Sequence, residues 1–107
     1  MNGINSIVIG GRITKDPELK VTQSGKNVCH FRLAVSDSKD ETDFIQCTAW
    51  EQNAVYLERF VRKGMWVCVA GKLKQAVFSS GEKEVNSYEV VARQVVCPLQ
   101  KNEGGNE

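Results

Sequence analysis

Two stretches of this chain carry flat rings and cations at a spacing suited to recognition chemistry. From Asp43 to Trp50, the residues Phe44, Gln46, Thr48 and Trp50 alternate with Ile45, Cys47 and Ala49. From Met65 to Phe78, Trp66, Cys68, Ala70, Lys72, Lys74 and Phe78 share one parity, and Val67, Val69, Leu73 and Val77 share the other. Successive side chains of a strand face opposite sides. One parity of each stretch is apolar and belongs in a core. The other mixes aromatics with lysines, which is odd for a plain solvent face. Rings offer stacking platforms and ammonium groups offer phosphate partners, the combination that unpaired nucleic acid needs. Covering a second sheet layer or a subunit contact would employ Phe44 and Phe78 equally well.

The elements that must position these residues follow from periodicity and punctuation. Asn5 to Thr14 reads as a first strand, with Gly10 and Gly11 suggesting a bulge or bend. Asp16 and Pro17 break it, and Glu18 to Thr22 reads as a short extension before a turn at Gly25. Asn27 to Ser36 is a second strand with Cys29, Phe31, Leu33 and Val35 on its apolar side. Arg32 falls on the opposite, more polar side with Val28, His30 and Ala34, within reach of a phosphate or of solvent. Asp37 to Glu41 is a charged connection. After the third strand, Ala54, Leu57 and Val61 hold helical spacing, which predicts an amphipathic helix over Glu51 to Lys63 with Gly64 beyond it. A hairpin turn over Ser79 to Glu82 follows the fourth strand. The last strand, Val85 to Cys97, is apolar on both parities, which suggests burial on two sides at a subunit contact. Five strands with one α-helix between strands 3 and 4 predict an all-β, five-stranded Greek-key barrel, the OB-fold.

Composition narrows the function classes. The chain has 107 residues, with 14 Lys and Arg against 13 Asp and Glu, a net charge of +1. Electrostatic binding must therefore come from segregating cations onto one face. The length suits one domain, expected over 1–99, with a polar, disordered tail over 100–107. Cys29, Cys47, Cys68 and Cys97 form no CxxC pair, and the lone His30 neighbours Cys29 on the opposite parity, so neither a metal nor another cofactor is expected. Reduced cysteines, with no signal peptide or membrane span, point to the cytoplasm. With no glycine-rich phosphate loop and no nucleophile elbow, an enzyme is not expected.

Taken together and in order, several segments resemble the bacterial single-stranded DNA-binding protein family. They are Asn5 to Leu19 (NSIVIGGRITKDPEL), Ser24 and Gly25, Phe31 to Val35 (FRLAV), Thr42 to Trp50 (TDFIQCTAW), Ala54 with Leu57, Lys63 and Gly64, Val69 to Leu73 (VAGKL) and Glu89 to Ala92 (EVVA). The resemblance implies an OB-fold that assembles as a homotetramer and wraps single-stranded DNA with little sequence preference, in replication, recombination or repair, in association with the nucleoid. It places Phe44, Trp50 and Phe78 at base-stacking positions and Lys74, Lys63 and Lys20 at backbone-contact positions. To these the alternation adds Lys72, Arg32 and Trp66. A further stacking aromatic of the family corresponds to Lys39, a basic position to Ala76, and Trp66 is an additional ring. The family's long tail, which ends in acidic residues and docks repair and replication enzymes, has no counterpart here, so such partners are not among the expectations. A dimeric OB-fold adaptor of a replication-restart complex is the alternative.

Overall fold

The computed structural model describes residues 2–98; of residues 77–80 and 83–86 it describes the backbone only. The expected tail over 100–107 lies outside the described residues. Seven elements follow one another: β1 (Ile7–Ile13), β2 (Lys20–Val21), β3 (Asn27–Ser38), β4 (Glu41–Trp50), α1 (Gln52–Phe60), β5 (Trp66–Ser80) and β6 (Lys83–Val96).

The sheet runs β1-β5-β6-β4-β3-β2, and β1 also pairs with β3. That second pairing closes five strands into a barrel, with the two-residue β2 appended to the edge of β3. All pairings are antiparallel except β4 with β6, where Cys47 lies beside Val90 and Thr48 beside Val91. This is the expected OB-fold, with its helix between the third and fourth barrel strands.

Closure depends on β1 changing partner along its length. Ile7 to Arg12 register against β5, whereas Arg12 and Ile13 register against Ala34 and Leu33 of β3. Thr14 N–H continues the second ladder by donating to the Arg32 carbonyl at 3.1 Å. The expected bulge at Gly10 and Gly11 is absent, because the β1–β5 register runs through both without interruption. The glycines serve close approach instead. A Cβ on Gly11 would sit 2.5 Å from the Ala34 carbonyl oxygen, so a side chain there would push β3 away.

Inside the barrel lie Ile13, Cys29, Phe31, Leu33, Cys47, Ala49, Val67, Val69, Val90 and Val95, the apolar parities of their strands. Helix α1 plugs one end with Ala54 and Leu57, and Val61 completes the plug from just beyond the last turn. The helix is shorter than predicted, because Val61 already has extended backbone. Arg62 occupies the exposed carbonyls there, its Nη1 donating to Glu58 and Val61 oxygens at 2.8 Å each. Gly64 therefore belongs to the turn before β5, not to the helix end.

Three side chains depart from their expected parity. Leu73 shares parity with Val67 and Val69 yet is 43% exposed. Pairing with β1 stops at Gly71, so beyond it β5 leaves the barrel wall and continues as a hairpin with β6. Val28 and Thr48, assigned to the outer face, are both buried. The two-sided burial expected of the last strand is not seen in the single chain: a register shift between Ala70 and Gly71 brings Val95 onto the same inner face as Val90 and Ala92, while Val96 is exposed.

Burial pushes the Cys47 thiol up to about 12, with the nearby Glu89 carboxylate adding to the effect. An unfolded thiol ionises near 9.0, so this site favours folding below that pH and ceases to as pH rises toward 12.

Two outcomes follow. Cys47 should stay unlabelled by maleimide in native protein near pH 8 and react once the chain is unfolded; rapid native labelling would contradict its placement. Gly11→Ala should lower the urea midpoint by an amount equivalent to about 1–3 kcal/mol, the usual cost of overpacking. An unchanged midpoint would show that the β1–β3 seam has room to spare.

Candidate nucleic-acid interface

Strand register decides which outward side chains stand beside one another, because directly opposed residues share a face. On the outer side of β3 and β4 the pairs are Val28 with Trp50, His30 with Thr48, Arg32 with Gln46, Ala34 with Phe44 and Ser36 with Thr42. Neighbouring strands extend these rows. Lys20 of β2 registers with Val28, so Lys20, Val28 and Trp50 form one row. At the other end Trp66 registers with Arg12, Arg12 with Ala34 and Ala34 with Phe44. A row four strands wide thus carries two rings and a guanidinium.

The rings are available. Phe44 is 60% exposed, Trp50 39% and Trp66 38%. The Trp66 ring covers Gly10 of β1, since a Cβ there would fall 2.3 Å from its Cζ2. Arg12 is held beside it, its Nη1 donating to the Gly64 carbonyl at 2.8 Å. A shallow hollow lined by Gly10, Arg12, Ala34, Ser36 and Trp66 opens along this row. A second, of about 290 Å³, is lined by Thr14, Lys15, His30, Phe31, Arg32 and Gln46. A third lies beside Trp50, with Thr22, Ser24, Lys26 and Glu51 around it. The three hollows follow β3 from one end to the other.

Trp50 owes its position to the residue after it. Glu51 adopts φ 53°, a backbone region costly for a non-glycine residue. It is held there by two contacts to one residue: its N–H donates to the Asn27 carbonyl at 2.8 Å, and its Oε1 accepts the Asn27 N–H at 3.1 Å. The chain thereby turns abruptly from strand to helix, with Trp50 still on the sheet.

The remaining sequence candidates are placed as follows. Lys72 registers with Val91, which registers with Thr48, so Lys72 ends the row that begins at His30. Lys74 registers with Glu89 in the next position. Both continue the same outer face across β6. Lys63 stands apart, in the turn between α1 and β5, where its N–H donates to Asp16 Oδ1 at 2.7 Å. Phe78 belongs to β5 opposite Val85, and its side chain lies outside the described residues.

Three contributors escaped the sequence reading. Arg12 was visible on the outward parity of the first strand but had no assigned neighbour. Lys15 lies just past β1. Thr48 is buried between His30 and Glu89, a relation that only the register of three strands reveals. Among the described residues, no group of three or more His, Cys, Asp or Glu gathers as a metal site, and no helix is long and apolar enough to cross a membrane.

What the face can do chemically is stack flat groups and neutralise phosphates. Each stacked base is worth about 1–3 kcal/mol by truncation. The cations Lys15, Lys20, Arg12, Arg32, Lys72 and Lys74 concentrate positive charge that the chain as a whole, at +1, does not have.

Comparison with known proteins agrees with this geometry. The profile of the single-strand binding protein family matches residues 4–97. A single-stranded DNA-binding protein of Fusobacterium nucleatum is 36% identical over 110 residues, covering 95% of this chain and 71% of the relative. Single-stranded DNA-binding protein 3 of Listeria innocua is 35% identical, with 94% of this chain and 68% of the relative covered. Single-stranded DNA-binding protein A of Bacillus subtilis is 36% identical over 96% of this chain and 64% of its own length. The chain belongs to the single-strand binding protein family, whose members are DNA-binding proteins and not enzymes.

In a Trp50→Phe background, where Trp66 is the remaining tryptophan, Gly10→Ala should shift the fluorescence emission as the ring is displaced. An unaltered spectrum would mean that Trp66 does not rest on β1.

Proposed function

We propose that this member of the single-strand binding protein family binds single-stranded DNA with little sequence preference, along the outer face of β3 and β4. The observation that carries the reading is the register itself. It sets exposed rings at both ends of a strip whose middle is cationic. Bases stack on Trp50, Phe44 and Trp66, and every base has a π-face, so sequence matters little. Phosphates meet Lys20, Arg32, Lys72 and Lys74, with Lys63 and Phe78 as further contacts at the margins. Duplex DNA keeps its bases stacked inside and is a poor ligand for such a strip.

The cellular role is protection of single strands during replication, recombination or repair, in association with the nucleoid. Assembly is as a homotetramer. In support, Ile4 and Val8 are exposed on the β1 side of the barrel. Among the described residues, β1 meets β3 only at Arg12 and Ile13, which leaves one edge of Ile7 to Gly10 open to another strand.

Two substitutions separate the two kinds of contact. Trp50→Ala should weaken oligo(dT) binding by about tenfold or more, with little change in the salt dependence. Lys74→Ala should flatten the plot of log affinity against log salt by about 0.7, one phosphate contact. Wild-type binding and wild-type salt slopes in both folded variants would refute the assignment of this face.

A further inference from the structure

Thr48 is a polar residue, 2% exposed, in the middle of a sheet face otherwise given to recognition. Its hydroxyl donates to Glu89 Oε1. It also lies 3.0 Å from His30 Nδ1. A hydroxyl has one proton to give and a carboxylate can only accept. With the Thr48 proton committed to Glu89, His30 Nδ1 must be the donor to the Thr48 oxygen. The three side chains, on β3, β4 and β6, form a directed chain that fixes the tautomer and orientation of the imidazole.

Nε2 is thereby left as the group His30 offers to a ligand. The residue is exposed and lines the 290 Å³ hollow with Lys15, Arg32 and Gln46. It stands one register level, roughly 7 Å, from the Trp50 row and two levels, roughly 14 Å, from the Phe44 row. Neutral imidazole presents an acceptor there, whereas imidazolium presents a second N–H donor with a charge. The bond to Thr48 is the same in both states, so protonation changes only the outward nitrogen.

We propose that His30 is a phosphate-binding residue of the single-strand track, that Thr48 and Glu89 are its positioning residues, and that the contact forms on protonation of the imidazole. The proposal rests on the reading of the face given above and adds a proton-linked contact between its aromatic ends. The charged groups around His30 favour an anion. Arg32 lies on β3 itself and Lys15 just past β1. Lys20 stands on β2. Lys72 and Lys74 on β5 face the β6 residues Val91 and Glu89 in register. Strand β4 contributes the uncharged Gln46, Thr48 and Trp50. Glu89 is the acidic member, and Thr48 stands between it and the imidazole.

The test is oligo(dT) binding from roughly pH 8 to pH 5.5, the range where imidazoles titrate. Thymine gains no proton there, so the ligand is constant. Wild-type affinity should rise about tenfold across that range, and its salt slope should steepen by about 0.7. His30→Gln should lose both changes, its affinity and salt slope staying level from roughly pH 8 to pH 5.5. Thr48→Val should lose them in part, and nitrogen-15 spectra of wild type should show Nδ1 protonated in the neutral ring. A His30→Gln protein with the wild-type pH dependence overturns the proposal, as does an Nε2-protonated neutral ring. Should Thr48→Val fail to fold, His30→Gln and the spectra still decide. Failure of the wild type to prefer oligo(dT) over duplex at any pH would instead overturn the reading of the face.

Discussion

One short seam governs the rest of this structure. Strand β1 must leave β5 and join β3 within the length of two residues, Arg12 and Ile13. Without that exchange the sheet would stay open, with two long edges and no enclosed core. With it, the apolar parities of five strands close around Cys29, Phe31, Leu33, Cys47, Val67 and Val69. The exchange is sterically demanding, and Gly11 meets the demand by bringing backbone against the Ala34 carbonyl. The same two residues then align Trp66, Arg12, Ala34 and Phe44 across four strands. Closure and the arrangement of the outer face are therefore one geometric fact, because the register that seals the barrel also sets the order of groups on its outside.

The outer face combines two energetic terms that a single patch rarely joins. Stacking needs rings that are exposed yet held in place, and that exposure carries a cost in water. Trp66 meets the requirement by lying on Gly10, and Trp50 by the sharp turn at Glu51, whose unfavourable backbone is held by the reciprocal bonds to Asn27. Phosphate neutralisation needs cations that are near one another without being paired off by carboxylates. Glu89 lies within the strip and Glu51 at its Trp50 end, and both carboxylates are engaged, Glu89 by the Thr48 hydroxyl and Glu51 by the Asn27 N–H. A chain of almost no net charge thus presents a locally basic strip.

Much of this was legible in the sequence, and the reasons for the exceptions are specific. Alternation placed Phe44, Trp50 and Trp66 outside and Cys47, Ala49, Val67 and Val69 inside, because parity along a strand is fixed by backbone geometry. Parity cannot say whether a side is covered. Leu73 has the parity of the core but lies where β5 has passed beyond β1, so it sits at the core's margin and is only half covered. Thr48 has the parity of the surface, yet it is sealed between β3 and β6. Neither outcome follows without knowing which strands are neighbours and in what register. His30 illustrates the same boundary. Its parity was plain, but its bond to Thr48 depends on a pairing between strands eighteen residues apart in sequence. The helix was found from its spacing and overrun at its end, where Arg62 replaces a glycine cap.

The central claim is that unpaired DNA lies along β3 and β4 between Trp50 and Phe44. Photochemical cross-linking with an oligonucleotide of 5-iodouracil, followed by mass spectrometry of the joined peptides, tests it most directly. The barrel carries its own control, because Tyr56 and the exposed Phe60 pack together on the helix at a ring separation of 5.4 Å. The account predicts cross-links at Trp50, Phe44 and Trp66. Cross-links confined to Tyr56 and Phe60 would contradict it.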